Sequence, residues 1–461
     1  MSTETVPTSS PLPDYIASAT PNPPSNRAPW YKNTAPTFAG IFLWFVFWNS
    51  MSGNGLSVGG LLASLAGIAI GALICHFLFY LAPGLLGMKT GLPLYVVGSS
   101  TFGAIGGLIM PGFLMGALQF GWLGVNAYGS ADALREGFGG DQNMFYALAV
   151  LWAALAAFVG LKGIQYVAKV ATFLPIIPLV VLIIGLSLYG ASAFSYKPGE
   201  VVEGGGLTAI LLMVGTIVGF FGTAGAAGVD FGTNSRDAND VKMGGLVGVV
   251  AAIILTAGFS VLVVAGARAT GAIPGDESLM TAALKVKLSD GVYKAVMIGL
   301  TLASFPGACF SSFIAANSFK TVMPRIHPLI SVGIGTLISI LLAVTGVAAN
   351  LPGVFGIIGA SFGPICGAMT ADYILNGYRW SGPRAGFNPA GWLAWAVGFF
   401  VGVMPNLNAL GTTYPALASI PSVPAAPVAA YIVGFVLYVV FYKIGLRSSL
   451  LAMPQRIDAA A

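Results

Sequence analysis

The sequence predicts an all-α polytopic membrane protein with about twelve transmembrane helices. Three observations predict it. Only 8% of the residues are charged, against about 25% in an ordinary soluble domain. Hydrophobic residues make up 56% of the chain, and the mean hydropathy is +0.86. The apolar residues fall in runs near the ~20 that a helix needs to cross a bilayer. Such a chain cannot cover its surface with polar groups, so lipid must be its solvent. The 63 glycines agree with this, because small residues let membrane helices approach closely.

Residues 1–36 are polar and rich in Ser, Thr and Pro, with no basic start leading into an apolar core. They read as a mostly disordered cytoplasmic tail without a signal peptide, with Trp30 and Tyr31 at the membrane surface. Helices one to five are expected at 37–55, 56–84, 106–128, 143–159 and 164–189. Helices six to ten are expected at 207–228, 244–265, 293–319, 330–347 and 354–375, and the last two at 391–403 and 425–442. Lys and Arg concentrate in the loops on the side of the two termini, which places both termini in the cytoplasm.

Composition also excludes function classes. Cys75, Cys309 and Cys366 lie inside apolar runs, and His76 and His327 are far apart, so neither a disulfide framework nor a metal site is expected. The net charge of +5 is spread over the loops, which fits membrane topology rather than nucleic-acid binding. No acid, base and nucleophile cluster at membrane depth, so an enzyme is not expected and no cofactor is required. A channel would differ from a coupled carrier in passing solute without saturation or accumulation.

Two spans read as interrupted. Helix one carries Asn49-Ser50-Met51-Ser52-Gly53-Asn54-Gly55, and helix six carries Gly215, Gly219, Gly222, Gly225 and Gly228 with Thr216 and Thr223. A pair of interrupted helices at matching places in two halves points to a transporter site. Unwound backbone is tolerated in a bilayer only where it is buried or lines a wet cavity. Close helix packing is the alternative reading of the same glycines.

Four stretches carry a resemblance. They are Lys89-Thr90-Gly91-Leu92 with Ser100-Thr101-Phe102-Gly103; Gln119-Phe120-Gly121-Trp122; Val214-Gly215-Thr216 with Asp230-Phe231-Gly232; and Gly363-Pro364 through Ala371-Asp372-Tyr373-Ile374-Leu375-Asn376. In order and spacing the chain resembles the nucleobase:cation symporter-1 family, most closely its cytosine permease and purine–cytosine permease branch. The resemblance implies a five-plus-five inverted repeat of the leucine-transporter type plus two C-terminal helices. The domains are then the cytoplasmic tail 1–36, a first repeat at 37–190 (helices one to five), a second repeat at 205–376 (helices six to ten), helices eleven and twelve in 388–443, and a cytoplasmic tail 444–461. It also implies a secondary transporter in the plasma or inner membrane, importing a nucleobase (cytosine or a purine) or related planar heterocycle by cation symport. The rival on the same fold carries another small solute: hydantoin or allantoin, a vitamin precursor, or an amino acid.

The resemblance assigns site residues as well. Trp122 would stack on the flat substrate, an interaction worth about 1–3 kcal/mol; an interfacial anchor or core filler is the other role for such a ring. Gln119 lies one turn away. On helix six Ile217 holds the slot where the family often has an aromatic, with Phe220 and Phe221 one turn on. Backbone groups of Gly215, Thr216 and Gly219 are candidates for the base edge, and Ala308 and Phe310 of helix eight complete the substrate set. Val46 and Asn49 of helix one, with Ala303, Ser304, Ser311 and Ser312 of helix eight, are cation-coupling candidates. Helix eight departs from the pattern: Pro306 and Gly307 stand at the family's paired threonines. Losing two hard oxygen ligands tilts the expected coupling ion from Na+ toward H+. A proton needs a titratable group on the path, for which Asp230 and Asp372 are candidates; capping or pairing in a cytoplasmic loop is their alternative role. His76 is expected as a hydrogen-bonded packing residue.

Overall fold

The computed structural model describes residues 12–52, 55–162, 165, 167, 171, 173–199 and 203–453. Among them the chain is all-helical, with only two isolated bridges, Ala28 with Ser235 and Arg384 with Leu450. We number the spans α1–α12. α1 is in two pieces, Thr34–Phe42 and Phe45–Asn49. α2 to α5 are Gly55–Thr90, Leu108–Phe138, Gln142–Lys162 and Ile176–Ser195. α6 to α8 are Gly205–Ala226, Ala238–Ala269 and Asp290–Val322. α9 is Pro328–Val344, and α10 to α12 are Leu351–Leu375, Pro389–Thr412 and Ala426–Lys443. Ten of these are long and apolar enough to cross a membrane; α9, at 17 residues, and the two short pieces of α1 are not so by length alone.

The packing repeats itself between the halves. α2 packs on α6 as α7 packs on α1, and α4 packs on α8 as α9 packs on α3. α5 meets α7 as α10 meets α2. α2 and α7 even share a π-turn, at Cys75–Tyr80 and Leu246–Ala251. Each pairing maps onto the other when α1–α5 are exchanged with α6–α10, as a five-plus-five repeat requires. α11 and α12 pack on α10 outside this unit.

Three expectations are corrected. The segment expected as a disordered tail is packed from residue 12 onward. Ile16 is fully buried, the Asn22 N–H donates to Gly91 O, and Arg27 Nη1 donates to Met88 O at 2.8 Å. These donors reach carbonyls at the end of α2 that a helix cannot satisfy itself, which is why a polar segment settles there. Second, α1 is interrupted at Leu43–Trp44, not at the polar run after Asn49. Trp44 adopts extended backbone (ψ 120°), and the Trp48 indole N–H donates to the freed Leu43 carbonyl at 3.1 Å. Ser50–Ser52 follow the end of α1 as a turn, and Gly53 and Asn54 lie outside the described residues. Third, α6 is one continuous helix from Gly205 to Ala226. Its glycines serve close packing. A Cβ on Gly219 would lie 2.6 Å from Phe355 O, and one on Gly222 would lie 3.3 Å from Gly359 Cα. The α6–α10 seam is therefore backbone against backbone.

Candidate functional site

The break in α1 turns a bulky aromatic run inward. Trp44 meets Trp122 of α3 and Phe220 of α6, Phe47 meets Phe220, and Phe355 of α10 joins through Trp122 and Phe220. The Trp122 ring stands edge-on to Phe220 at 5.2 Å between centroids, with Phe355 at 5.7 Å and Trp44 at 6.1 Å. Phe220 lies 4.4 Å from Phe47, 5.2 Å from Phe355 and 6.3 Å from Trp44. Four helices thus contribute rings to one cluster between the halves.

Polar groups edge it. Trp122 Nε1 donates to Thr223 Oγ1 at 3.2 Å, which fixes the indole plane. Trp44 Nε1 is buried and has no hydrogen-bond partner among the described residues. An orphan buried donor is costly unless something else satisfies it. Gln119, 6% exposed, spends its amide only on a weak 3.8 Å contact to Met115 Sδ. Open space flanks Gly121 where a Cβ would stand. No member of this set is charged.

The structure brings together only part of the expected substrate set: Trp122, Gln119 and Phe220. Phe221 packs instead on Phe38 and Phe42, 5.7 and 5.8 Å away. Ile217 faces α2, where its carbonyl meets Cys75 Sγ and its side chain lies over Gly71. Because α6 is unbroken, the backbone groups of Gly215, Thr216 and Gly219 sit within the helix. Gly215 faces Ala425, and Thr216 Oγ1 donates to Leu212 O. Ala308 is buried with Leu123, Ala156, Val167 and Cys309, and Phe310 is half-buried outside the ring cluster. Sequence reading missed Trp44, Phe47, Thr223 and Phe355. The aromatic density of Trp44-Phe45-Val46-Phe47-Trp48 was the available signal for the first two; Phe355 had none.

The coupling candidates are dispersed. Val46 packs on Gly129, and Asn49 Oδ1 accepts from Thr281 N at 2.8 Å, capping the helix Met280–Lys287. Ser304 Oγ donates to Leu300 O and Ser312 Oγ to Ala308 O, each on its own helix. Ala303 is half-buried and Ser311 is buried. Ser304 O accepts from Asn126 Nδ2, and Trp152 Nε1 donates to Asn126 Oδ1, which binds α3, α4 and α8 together.

Asp230 Oδ1 accepts from Leu94 N at 2.9 Å, and burial pushes its carboxyl up to about 6 despite that bond. Arg236, six residues on from Asp230 in sequence, pairs with Asp240 at 2.7 Å. Asp372 is 3% exposed and accepts from Ser100, Tyr438 and Asn376 at 2.7, 2.8 and 2.9 Å. The Ser100 and Asp372 stretches, far apart in sequence, therefore meet. His76 is buried as expected, but its Nδ1 has no partner among the described residues; the ring lies against Phe77, 4.7 Å away, and over Gly245.

A family model described as permease for cytosine/purines, uracil, thiamine, allantoin matches residues 21–434. The chain belongs to this family. Two curated cytosine permeases of Escherichia coli are similar to the permease. That of strain K12 is 25% identical over 310 residues, which is 64% of this chain and 67% of the relative. That of O157:H7 is 25% identical over 314 residues, with the same shares covered. Among solved structures, inward-facing Mhp1 aligns with a TM-score of 0.69 at 18% identity, covering 96% of the permease and 98% of Mhp1. Mhp1, a nucleobase-cation-symport-1 family transporter, closed with bromovinylhydantoin bound, aligns at 0.66 and 16% with the same coverage. At these identities the structures speak to fold, which is the leucine-transporter-type inverted repeat the sequence predicted. The permease is a multi-pass membrane transporter of the nucleobase-type class.

Proposed function

We propose that the permease imports cytosine, a purine or a related planar heterocycle together with a cation, by alternating access. The observation that carries this reading is the uncharged aromatic cluster of Trp44, Trp122, Phe220 and Phe355, edged by an indole N–H without a partner. A flat base entering it exchanges ring–ring contact for ring–base contact, a near-even trade of aromatic surface. The gain comes from its edge. A base carbonyl or ring nitrogen satisfies Trp44 Nε1, while the Thr223 hydroxyl and the Gln119 amide offer further donors and acceptors. A zwitterionic amino acid would need charged or hard partners, and the cluster has none; hydantoin-like rings remain the closer alternative.

We take the coupling ion to be the proton, with sodium as the alternative. Pro306 and Gly307, at the positions of the family's paired threonines, offer no side-chain oxygen to sodium, which favours that order. The permease is read as a carrier rather than an enzyme or channel, in the plasma or inner membrane with both termini cytoplasmic. The test is uptake of labelled cytosine, adenine and hypoxanthine into proteoliposomes, with proton and sodium gradients imposed separately. Saturable accumulation of one base under a proton gradient is expected. Accumulation competed by amino acids but not by bases would overturn the reading.

A further inference from the structure

Away from the aromatic cluster, at the end of the bundle where α1 turns into α2, lies a cavity of about 580 Å³. Ser57, Ser195, Tyr196, Lys197, Gly199, Arg268, Ala269 and Gly275 line it, from the start of α2 and the ends of α5 and α7. Arg268 is 8% exposed. Among the described residues neither Arg268 nor Lys197 has a carboxylate within ion-pair distance. Glu277 is adjacent, yet it offers Arg268 only its backbone carbonyl, at 2.9 Å from Nε and 2.7 Å from Nη2. Its carboxylate instead accepts from Ser278 N and Leu279 N. Arg268 Nη1 donates to Ser57 Oγ at 3.0 Å and to Tyr196 OH at 3.4 Å. Those hydroxyls hold the guanidinium without neutralising it. The ends of α5 and α7 supply only about half an elementary charge each.

We propose that this cavity binds a phosphate-class oxyanion between Arg268 and Lys197. A buried cation lacking a counter-charge is costly and draws an anion to itself. Guanidinium and ammonium groups are the natural phosphate partners, and the hydroxyls of Ser195 and Ser57 can donate to its remaining oxygens. The cavity exceeds the size of the free ion, so the phosphate has two sources: inorganic phosphate with water, or the phosphodiester of an anionic lipid. The site spans α2 and α5 of the first repeat and α7 of the second, so its occupant bridges both halves.

The experiment measures melting midpoints of the full-length protein. One arm titrates inorganic phosphate against chloride at constant ionic strength, in nanodiscs of zwitterionic lipid. The other replaces part of that lipid with phosphatidylglycerol. A saturable rise in either arm is expected, and the arm that responds names the source. Arg268→Gln should abolish the response. Because Arg268 also anchors Glu277, Lys197→Gln is the variant that keeps the fold. It should weaken apparent affinity about tenfold, the effect of one lost charge-assisted bond, with nucleobase uptake unchanged. No saturable rise in either arm, or a rise unaltered by Lys197→Gln, overturns the proposal.

Discussion

The indole N–H of Trp122 donates to the Thr223 hydroxyl across 3.2 Å, joining α3 to α6 at the centre of the ring cluster. This one bond fixes the plane on which a base would lie. Trp122→Ala should abolish uptake at equal membrane abundance. Thr223→Val should keep the ring but loosen it, raising KM about tenfold with little change in maximal rate. Normal kinetics in Trp122→Ala would remove the stacking role.

Trp44 and Trp48 make a paired test. Trp44 Nε1 has no protein partner, whereas Trp48 Nε1 satisfies Leu43 O. No single natural side chain removes only an indole N–H, but phenylalanine comes near it in shape. Trp44→Phe is expected to weaken substrate binding with stability nearly unchanged. Trp48→Phe should lower stability by about 1–3 kcal/mol, the cost of an unsatisfied buried carbonyl. Thermal unfolding and binding titrations on the two variants check this.

Glycines on α3 and α6 should behave oppositely. A Cβ on Gly219 meets Phe355 O at 2.6 Å, while one on Gly121 meets nothing within 4 Å. Gly219→Ala should destabilise by about 1–3 kcal/mol through overpacking. Gly121→Ala should gain a few tenths to about 1 kcal/mol of helix stability. Melting midpoints decide the signs.

Asp230 predicts a pH dependence. Burial raises its carboxyl from 3.8 to about 6. Below the unfolded value both states hold the proton, and the group costs nothing. As pH rises through about 6 the folded state must carry a buried charge that the unfolded state carries freely. Stability should therefore fall between roughly pH 4 and 7, by an amount on the order of 3 kcal/mol. Asp230→Asn still offers an acceptor to Leu94 N and should flatten the curve. If Asp230 serves only as a cap, that variant also retains proton-driven uptake; its loss would make Asp230 the coupling group.

Asp372 should matter for assembly before transport. Its carboxylate accepts from Ser100, Tyr438 and Asn376, joining the segment before α3 to α10 and α12. Asp372→Leu should sharply reduce folded protein in the membrane, measured by fluorescence-detected gel filtration. Tyr438→Phe, which removes one of three donors, should cost about 1–2 kcal/mol.

The membrane fold was legible because hydropathy and span length are properties of short segments. The discontinuity in α1 was legible as a fact but not as a position. Polar residues suggested 49–55, of which Ser50–Ser52 form a turn after α1, and the break within α1 falls in an aromatic run whose indole supplies the missing donor. The α6 glycines were ambiguous for a physical reason: glycine both weakens a helix and permits close approach, and only the position of Gly359 decides which. Trp122 was legible through its local pattern. Phe355 was not, since a phenylalanine in an apolar helix carries no sign of which neighbour it faces. Ser100 and Asp372 each stood out alone, but their contact depends on how residues 272 apart in number are brought together.

Where Gly219 and Gly222 press against Gly359, neither helix presents a tooth for the other to catch. Two smooth rods in contact can slip past each other without first separating. In a carrier that must alternate the side on which it opens, such a line of contact would let α6 and α10 shift while remaining in touch.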